Sequence, residues 1–285
     1  MNVVGDDDGT EREELERLRA EVRDLRARVR SRPLIAQAQG MLRERYALPD
    51  AESAFALLQR SSQRSNVKMR TLAEALLSAP RPDPRATLWF PSRARQPEPA
   101  VSFAPGAGPG GRHRGAVLGA LLSRTLDVTG TDMGNVQVPD LEHGGLRIEK
   151  HTGLTADFVE FFGHVGEQGT ACAQAVRELA QVTVRDVETD PVFTEPARAA
   201  ILAAGSRACH SVPLTTASGR CVGMVSAHLA HTVSGLTNAQ LKALDRLGTE
   251  TGRWLAWHEH TVVLDALEHL HGLGRTLRGL RMRRS

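Results

Sequence analysis

Lysine is scarce in this chain of 285 residues. Of 36 basic residues only Lys68, Lys150 and Lys242 are lysines, and the rest are arginines. Arginine is the better reader of phosphates and bases, but a bias of this kind does not by itself select nucleic acid. Cysteine is nearly as rare. Cys172, Cys209 and Cys221 form no C-x-x-C pair, and an odd number leaves one thiol over. A disulfide framework and a cysteine-rich zinc site are therefore excluded. No apolar run approaches the roughly 20 residues that span a bilayer. The first ten residues hold Asp6, Asp7 and Asp8 and no apolar core, which excludes a secretory signal and points to the cytoplasm.

The chain does have charge contrast. Residues 115–270 carry a net charge of −7, whereas residues 80–114 carry +4 and residues 271–285 carry +5. Basic segments thus flank an acidic part, and nucleic acid is expected at the former. Composition divides the chain into an acidic, disordered stretch (1–10), a helical region (11–79), a linker rich in Pro, Gly and Arg (80–114), a mixed domain (115–270) and a basic tail (271–285). Arginines of the linker and the tail are candidates for unspecific attraction to nucleic acid.

In the helical region Leu15, Leu18, Val22, Leu25 and Val29 recur in steps of three and four, the seam of a short coiled coil. With Leu15 at position a, Glu14 faces Arg19 and Glu21 faces Arg26 across a parallel dimer. Each such pair is worth only about 0–1 kcal/mol. The same stripe also suits one amphipathic helix packed within its own chain. Beyond Pro33, three further stripes read as short helices. Leu34, Ile35, Ala38, Met41, Leu42 and Tyr46 form the first, with small residues Ala36, Ala38 and Gly40 suited to close helix approach. After the cap Asp50 come Ala54, Phe55, Leu57 and Leu58, then a polar turn over 61–66. Met69, Leu72, Ala73, Leu76 and Leu77 form the last.

The segments Ser31–Arg45, Ala54–Leu58 and Ser62–Ala75 hold Ile-x-x-Ala-x-Gly, Ala-Phe-x-x-Leu and Ser-x-x-x-Asn in that order. Over residues 15–79 this resembles the ANTAR domain, the RNA-binding output module of bacterial transcription antiterminators. The resemblance implies binding of hairpin loops in nascent RNA, whose unstacked bases and crowded phosphates suit Arg and Asn side chains. Arg64, Asn66, Lys68 and Arg70, around the start of the last helix, are the expected contacts. Tyr46 is an aromatic candidate as well as a helix-end core residue.

From residue 115 onward, short strands alternate with short helices, giving an α+β layered domain. Strands are expected over 135–138, 146–151, 181–184, 208–214 and 221–229, with a long helix from Leu236 to about Leu270. The segments Asp132–Gln137, Gly145–Ile148, Phe158–Phe162, Gly169–Cys172, Val184–Val187, Ser211–Leu214 and Gly223–Ser226 resemble a GAF domain over residues 115–258. That implies a sensory pocket between sheet and helices, with the ligand left open. The expected architecture is two-domain, an all-α N-terminal part and a C-terminal α+β GAF-like part. In many relatives the GAF domain comes first; here the order is reversed.

No Ser/His/Asp spacing, phosphate loop or Glu-x-x-His motif stands out, so no catalytic residue and no metal ligand is expected, and the cofactor is unknown. Strand alternation sends Cys209 and His210 to opposite faces, and His228 and His231 likewise. The resulting reading is a homodimeric, non-enzymatic antiterminator binding RNA stem-loops, with a small-molecule or redox sensor and no membrane partner. The alternative is a GAF-fold redox or metabolite enzyme that uses its helical part only to dimerise.

Overall fold

The computed structural model describes residues 17–18, 33–83, 86–104, 113–166 and 169–282, with side chains as far as residue 279. Two compact units result. Unit 1 takes residues up to Pro91 and those from Ala266 on, and unit 2 takes Ser92–Asp265. Of the coiled-coil seam, Leu15, Val22, Leu25 and Val29 lie outside the described residues. Leu18 is helical and exposed.

Unit 1 is helical. In α1 (33–46), Leu34, Ala38, Leu42 and Tyr46 are buried at steps of four, the spacing that keeps side chains on one face. Asp50 then caps α2 (Ala51–Ser65), its Oδ1 accepting from the Ser53 amide at 2.7 Å. Ala54, Leu57, Leu58 and Ser61 face the core, so Phe55, expected inside, lies at the surface. The expected polar turn over 61–66 is helical through Ser65. Asn66 stops the helix with φ 49°, a left-handed conformation that a short amide side chain tolerates. Helix α3 (Met69–Ser78) buries Leu72, Ala73 and Leu76. Of the small residues expected to permit close helix approach, only Ala38 is buried; Ala36 and Gly40 are exposed.

Two segments distant in sequence complete this core. Trp89 is buried and donates from Nε1 to the Pro80 carbonyl at 2.8 Å. Ala266, Leu267, Leu270 and His271 are buried residues of the last helix, α9 (Leu264–Met282). The Glu268 carboxylate accepts from the amides of Trp89 (2.8 Å) and Phe90 (2.7 Å). Tyr46 Oη lies 2.9 Å from His271 Nδ1, and the Arg45 guanidinium sits 4.9 Å from the centroid of the Trp89 ring. Tyr46 is therefore core, 2 % exposed, and burial pushes its hydroxyl up to about 12.

Unit 2 is built on one antiparallel sheet of order β3-β2-β1-β6-β5-β4. Its strands are β1 (Met133–Pro139), β2 (Leu146–Thr152), β3 (His164–Val165), β4 (Val182–Val184), β5 (Ala208–Thr215) and β6 (Cys221–Leu229). One face packs on α4 (Arg114–Thr129) and α8 (Asn238–His258) through Leu118, Leu121, Val136, Val225, Leu244 and Trp254. Helix α8 lies very close to β5. A Cβ on Gly252 would stand 2.2 Å from the Thr215 carbonyl oxygen, and one on Gly248 would stand 2.7 Å from that of Pro213. The other face is covered by α5 (Ala156–Phe161), α6 (Ala171–Glu178) and α7 (Glu195–Ala203), whose cluster includes Phe158, Ala175, Ile201 and Met224.

The segment 92–104, expected to run free as a linker, is tied down along α8. Val101 is buried, Ser102 bonds Glu250, and Trp254 Nε1 donates to Glu98 at 2.9 Å. Between α8 and α9 the helix widens to a π turn over Glu259–Val263. Such a turn departs from the regular i→i−4 ladder. Here Arg93 Nη1 donates to the carbonyls of His260 (3.0 Å) and Thr261 (2.9 Å), while Arg93 and Arg95 pair with Asp265. These two linker arginines are thus engaged within unit 2. Among the described residues no helix is long and apolar enough to cross a membrane.

Candidate functional site

The four expected RNA contacts all fall at the α2–α3 junction of unit 1. Arg64 is exposed in the last turn of α2, Asn66 is the exposed left-handed residue, and Lys68 is exposed at the N-cap position of α3. No side chain caps that end of α3 from the Lys68 position. Asn66 caps α2 from behind through its backbone, which donates to Gln63 and Ser62, so it is not a cap of α3. Arg70 differs from the rest. It is half-buried, and its Nε donates to Glu74 Oε1 at 2.9 Å. Glu74 thus holds Arg70 against the helix, whereas the side chains of Arg64 and Lys68 are exposed.

A second arrangement lies inside unit 2. Most strand positions on the face under α5–α7 would be filled by apolar groups in an ordinary core. Instead a polar row crosses it. Asn135 on β1 is opposite Ser226 on β6, and Ser226 is opposite Ser211 on β5. The Ser211 and Ser226 hydroxyls are 2.9 Å apart, and Cys172 of α6 places its sulfur 3.2 Å from Ser226 Oγ. Gln137 and His228 are two positions along from Asn135 and Ser226, on the same face. His228 is 5 % exposed, and burial pushes its imidazole down to about 4, so it is neutral near pH 7. A hydrogen-bond chain is consistent with one tautomer. Asn135 Nδ2 faces Nε2 at 3.4 Å, Nδ1 faces Ser206 Oγ at 3.2 Å, and Ser206 in turn donates to the Ala208 carbonyl.

Two groups in the row have no such satisfaction. Asn135 Oδ1 and Gln137 Oε1 are buried without a hydrogen-bond partner among the described residues. A buried, unmatched carbonyl oxygen costs about 1–3 kcal/mol. Both residues are 1 % exposed, so water does not reach them freely. The row therefore holds unspent acceptor capacity. Burial raises the thiol of Cys172 above its ordinary value. Burial likewise raises Cys209 and Cys221, so none of the three is a ready thiolate.

Cys209 packs among the apolar groups under α5–α7. His210 bonds Thr183 Oγ1 and Gln181 Oε1 instead, at 2.8 and 2.9 Å. A surface groove of about 470 Å³ lies elsewhere, lined by Leu126, Thr131, Leu229 and His231 among others. The amide and serine members of the polar row escaped the sequence reading. Their signal was there: Asn135-x-Gln137 and Ser226-x-His228 put polar residues at alternate positions in valine-rich strands.

Comparison with known families fits both units. The family model of the ANTAR domain matches residues 23–77, and that of the GAF domain matches residues 114–253. The chain joins an ANTAR domain to a GAF domain. Among curated proteins none matches. Solved structures of similar shape cover about half of the chain. One is a domain assigned to a two-component sensor histidine kinase from Sinorhizobium meliloti 1021, with 18 % identity and TM-score 0.43, covering 51 % of this chain and 92 % of that one. Another is a free methionine-R-sulfoxide reductase from Neisseria meningitidis in complex with its substrate, with 20 % identity and TM-score 0.40, covering 50 % and 80 %. A third is a GAF domain/HD domain protein from Geobacter sulfurreducens, with 16 % identity and TM-score 0.40, covering 53 % and 92 %. These likenesses carry no inference about activity. The α2–α3 junction belongs to the ANTAR domain, and the polar row belongs to the GAF domain.

Proposed function

We propose that this protein is a signal-responsive transcription antiterminator. Its ANTAR domain binds hairpin loops in nascent mRNA, and its GAF domain senses a small molecule. The observation that carries the reading is the match of an ANTAR domain to residues 23–77, with Arg64, Asn66 and Lys68 exposed together at one helix junction. Arg64 and Lys68 supply charge for phosphates, and Asn66 supplies donor and acceptor groups for an unstacked base. Arg70 acts less directly, since Glu74 already holds it. Binding of paired hairpins calls for two copies side by side, and the seam Leu15, Leu18, Val22, Leu25 and Val29 is the proposed homodimer contact. The GAF ligand offers hydrogen-bond donors, to match the orphaned oxygens of Asn135 and Gln137.

The test is binding of twin-hairpin transcripts by the full chain. Replacing both Arg64 and Lys68 by Glu is expected to weaken binding at least tenfold and to flatten its dependence on salt. Unchanged affinity in that double variant, with the fold intact by circular dichroism, defeats the reading.

A further inference from the structure

The turn joining β1 to β2 carries Asp140, Glu142 and His143, and the chain brings a fourth donor to it from another element. Strand β3 pairs with β2 so that His164 lies opposite Arg147 and Val165 opposite Leu146. Gly145, at φ 66°, allows the close approach. A Cβ there would stand 2.1 Å from the Val165 carbonyl oxygen. As a result His143 Nδ1 and His164 Nδ1 lie 3.5 and 4.0 Å from the same atom, Asp140 Oδ2.

The two oxygens of Asp140 have separate surroundings. Oδ1 holds the turn by accepting from the amides of Glu142 (3.1 Å) and His143 (3.3 Å). Oδ2 faces the two imidazoles at distances longer than an N–H···O bond prefers, which is about 2.7–3.2 Å. The 3.5 Å of His143 is close instead to the separation of about 3.4 Å between neighbouring ligands around a tetrahedral zinc ion, given bonds near 2.0–2.2 Å, and the His164 ring, at 4.0 Å, closes on the ion by a shift of about half an ångström. Ligand atoms of Asp140, Glu142 and His143 all lie within 4.8 Å of one another. Asp140 is 6 % exposed, whereas both histidine side chains reach solvent, so the cluster has a fixed base and an open mouth. Arg147, the cation on β2 opposite His164, is already paired with Glu149.

We propose that Asp140, Glu142, His143 and His164 form a binding site for one zinc-like divalent cation. Two imidazoles and two carboxylates suit zinc, whereas magnesium and calcium take oxygen ligands almost alone. The bound ion clips the β1–β2 turn to edge strand β3, which otherwise holds by only two residue pairs. The site was not visible as a sequence motif, because His164 joins it only through strand pairing.

The full-length chain, stripped by chelator and dialysed, is titrated with zinc by calorimetry and with cobalt by visible absorption. One equivalent is expected to bind and to produce the intense visible bands of tetrahedral cobalt. His143→Gln and His164→Gln should each weaken binding at least tenfold, and together they should abolish it. Asp140→Asn, which keeps an acceptor for the turn, should weaken it as well. His231→Gln, at an exposed histidine elsewhere, should leave it unchanged. Absence of zinc binding by the unaltered chain, or undiminished binding by the double variant, overturns the proposal. Thermal midpoints in the absence of metal show that the variants are folded, as expected for histidines whose side chains are 46 % and 37 % exposed.

Discussion

Deletion of residues 266–285 should unfold the ANTAR unit, although it removes nothing within the stretch that the ANTAR family model matches. Leu267 and Leu270 are fully buried in unit 1, and each is worth about 1.5–3 kcal/mol of burial. Glu268 adds two charge-assisted bonds to the amides of Trp89 and Phe90, at roughly 1.5–3 kcal/mol each. These terms sum to roughly 6–12 kcal/mol, which is comparable with the whole stability of a small domain, about 5–15 kcal/mol. Three helices over residues 33–78 make a thin core by themselves, and Tyr46 and Trp89 would both be uncovered. Hydrogen exchange read by mass spectrometry resolves the outcome by segment. Amides of α1 around Leu42–Tyr46 should lose protection in the truncated chain, while those of β5 and β6 keep most of theirs. Equal protection of α1 in both proteins refutes the argument, because it would mean that the last helix adds nothing to this core.

Gly252→Ala should destabilise unit 2 by more than about 1–3 kcal/mol in urea denaturation, because the new methyl group meets the Thr215 backbone. Gly119→Ala is the control; its Cβ meets only the end of Lys150 at 3.7 Å, and a neutral or slightly stabilising change is expected. Acid should also weaken unit 2. Burial pushes His210, His228 and His258 down to about 4, against about 6.5 for an unfolded chain. The unfolded state therefore binds more protons between these values, and stability falls as pH falls from 6.5 towards 4. Each imidazole contributes about 1.4 kcal/mol per pH unit in that window. A denaturation midpoint that stays flat from pH 6.5 to 4.5 would contradict the assigned neutral state.

Local signals carried much of the fold. Helical stripes mark α1 to α3 because a helix that buries one face must repeat every three or four residues. Asp50 and Thr155 cap as their residue types demand, and β1, β5 and β6 are buried almost throughout, as strands covered on both faces are. Long-range partners were not legible. Nothing in the string Leu88-Trp89-Phe90 says that Glu268 accepts its amide bonds, and nothing in His271 names Tyr46. The two-residue strand β3 is too short to have a period, yet it delivers His164 to Asp140. Asn66 misled for a physical reason. A polar run full of cap formers looks like a turn, but a single left-handed residue at its end suffices to stop the helix. For the proposed RNA contacts the sequence supplied residue types. Exposure then separates Arg64 and Lys68 from Arg70, which Glu74 holds.

The unmatched oxygens of the GAF domain permit a test that requires no knowledge of the ligand. If Gln137 Oε1 is kept for an absent donor, the empty domain bears its desolvation cost of about 1–3 kcal/mol. Gln137→Met keeps the length of the side chain and removes the carbonyl, so the empty protein should become more stable by up to that amount. A structural glutamine would behave in the opposite way, because its loss would break bonds that hold the sheet. Urea midpoints of the full chain and of Gln137→Met distinguish the two. Destabilisation by more than about 1 kcal/mol would mean that the oxygen is satisfied in solution and is not held for a ligand. Stabilisation would show a group retained against folding, and a ligand donating to it would favour the conformation that presents it, the differential affinity on which any ligand-driven shift depends.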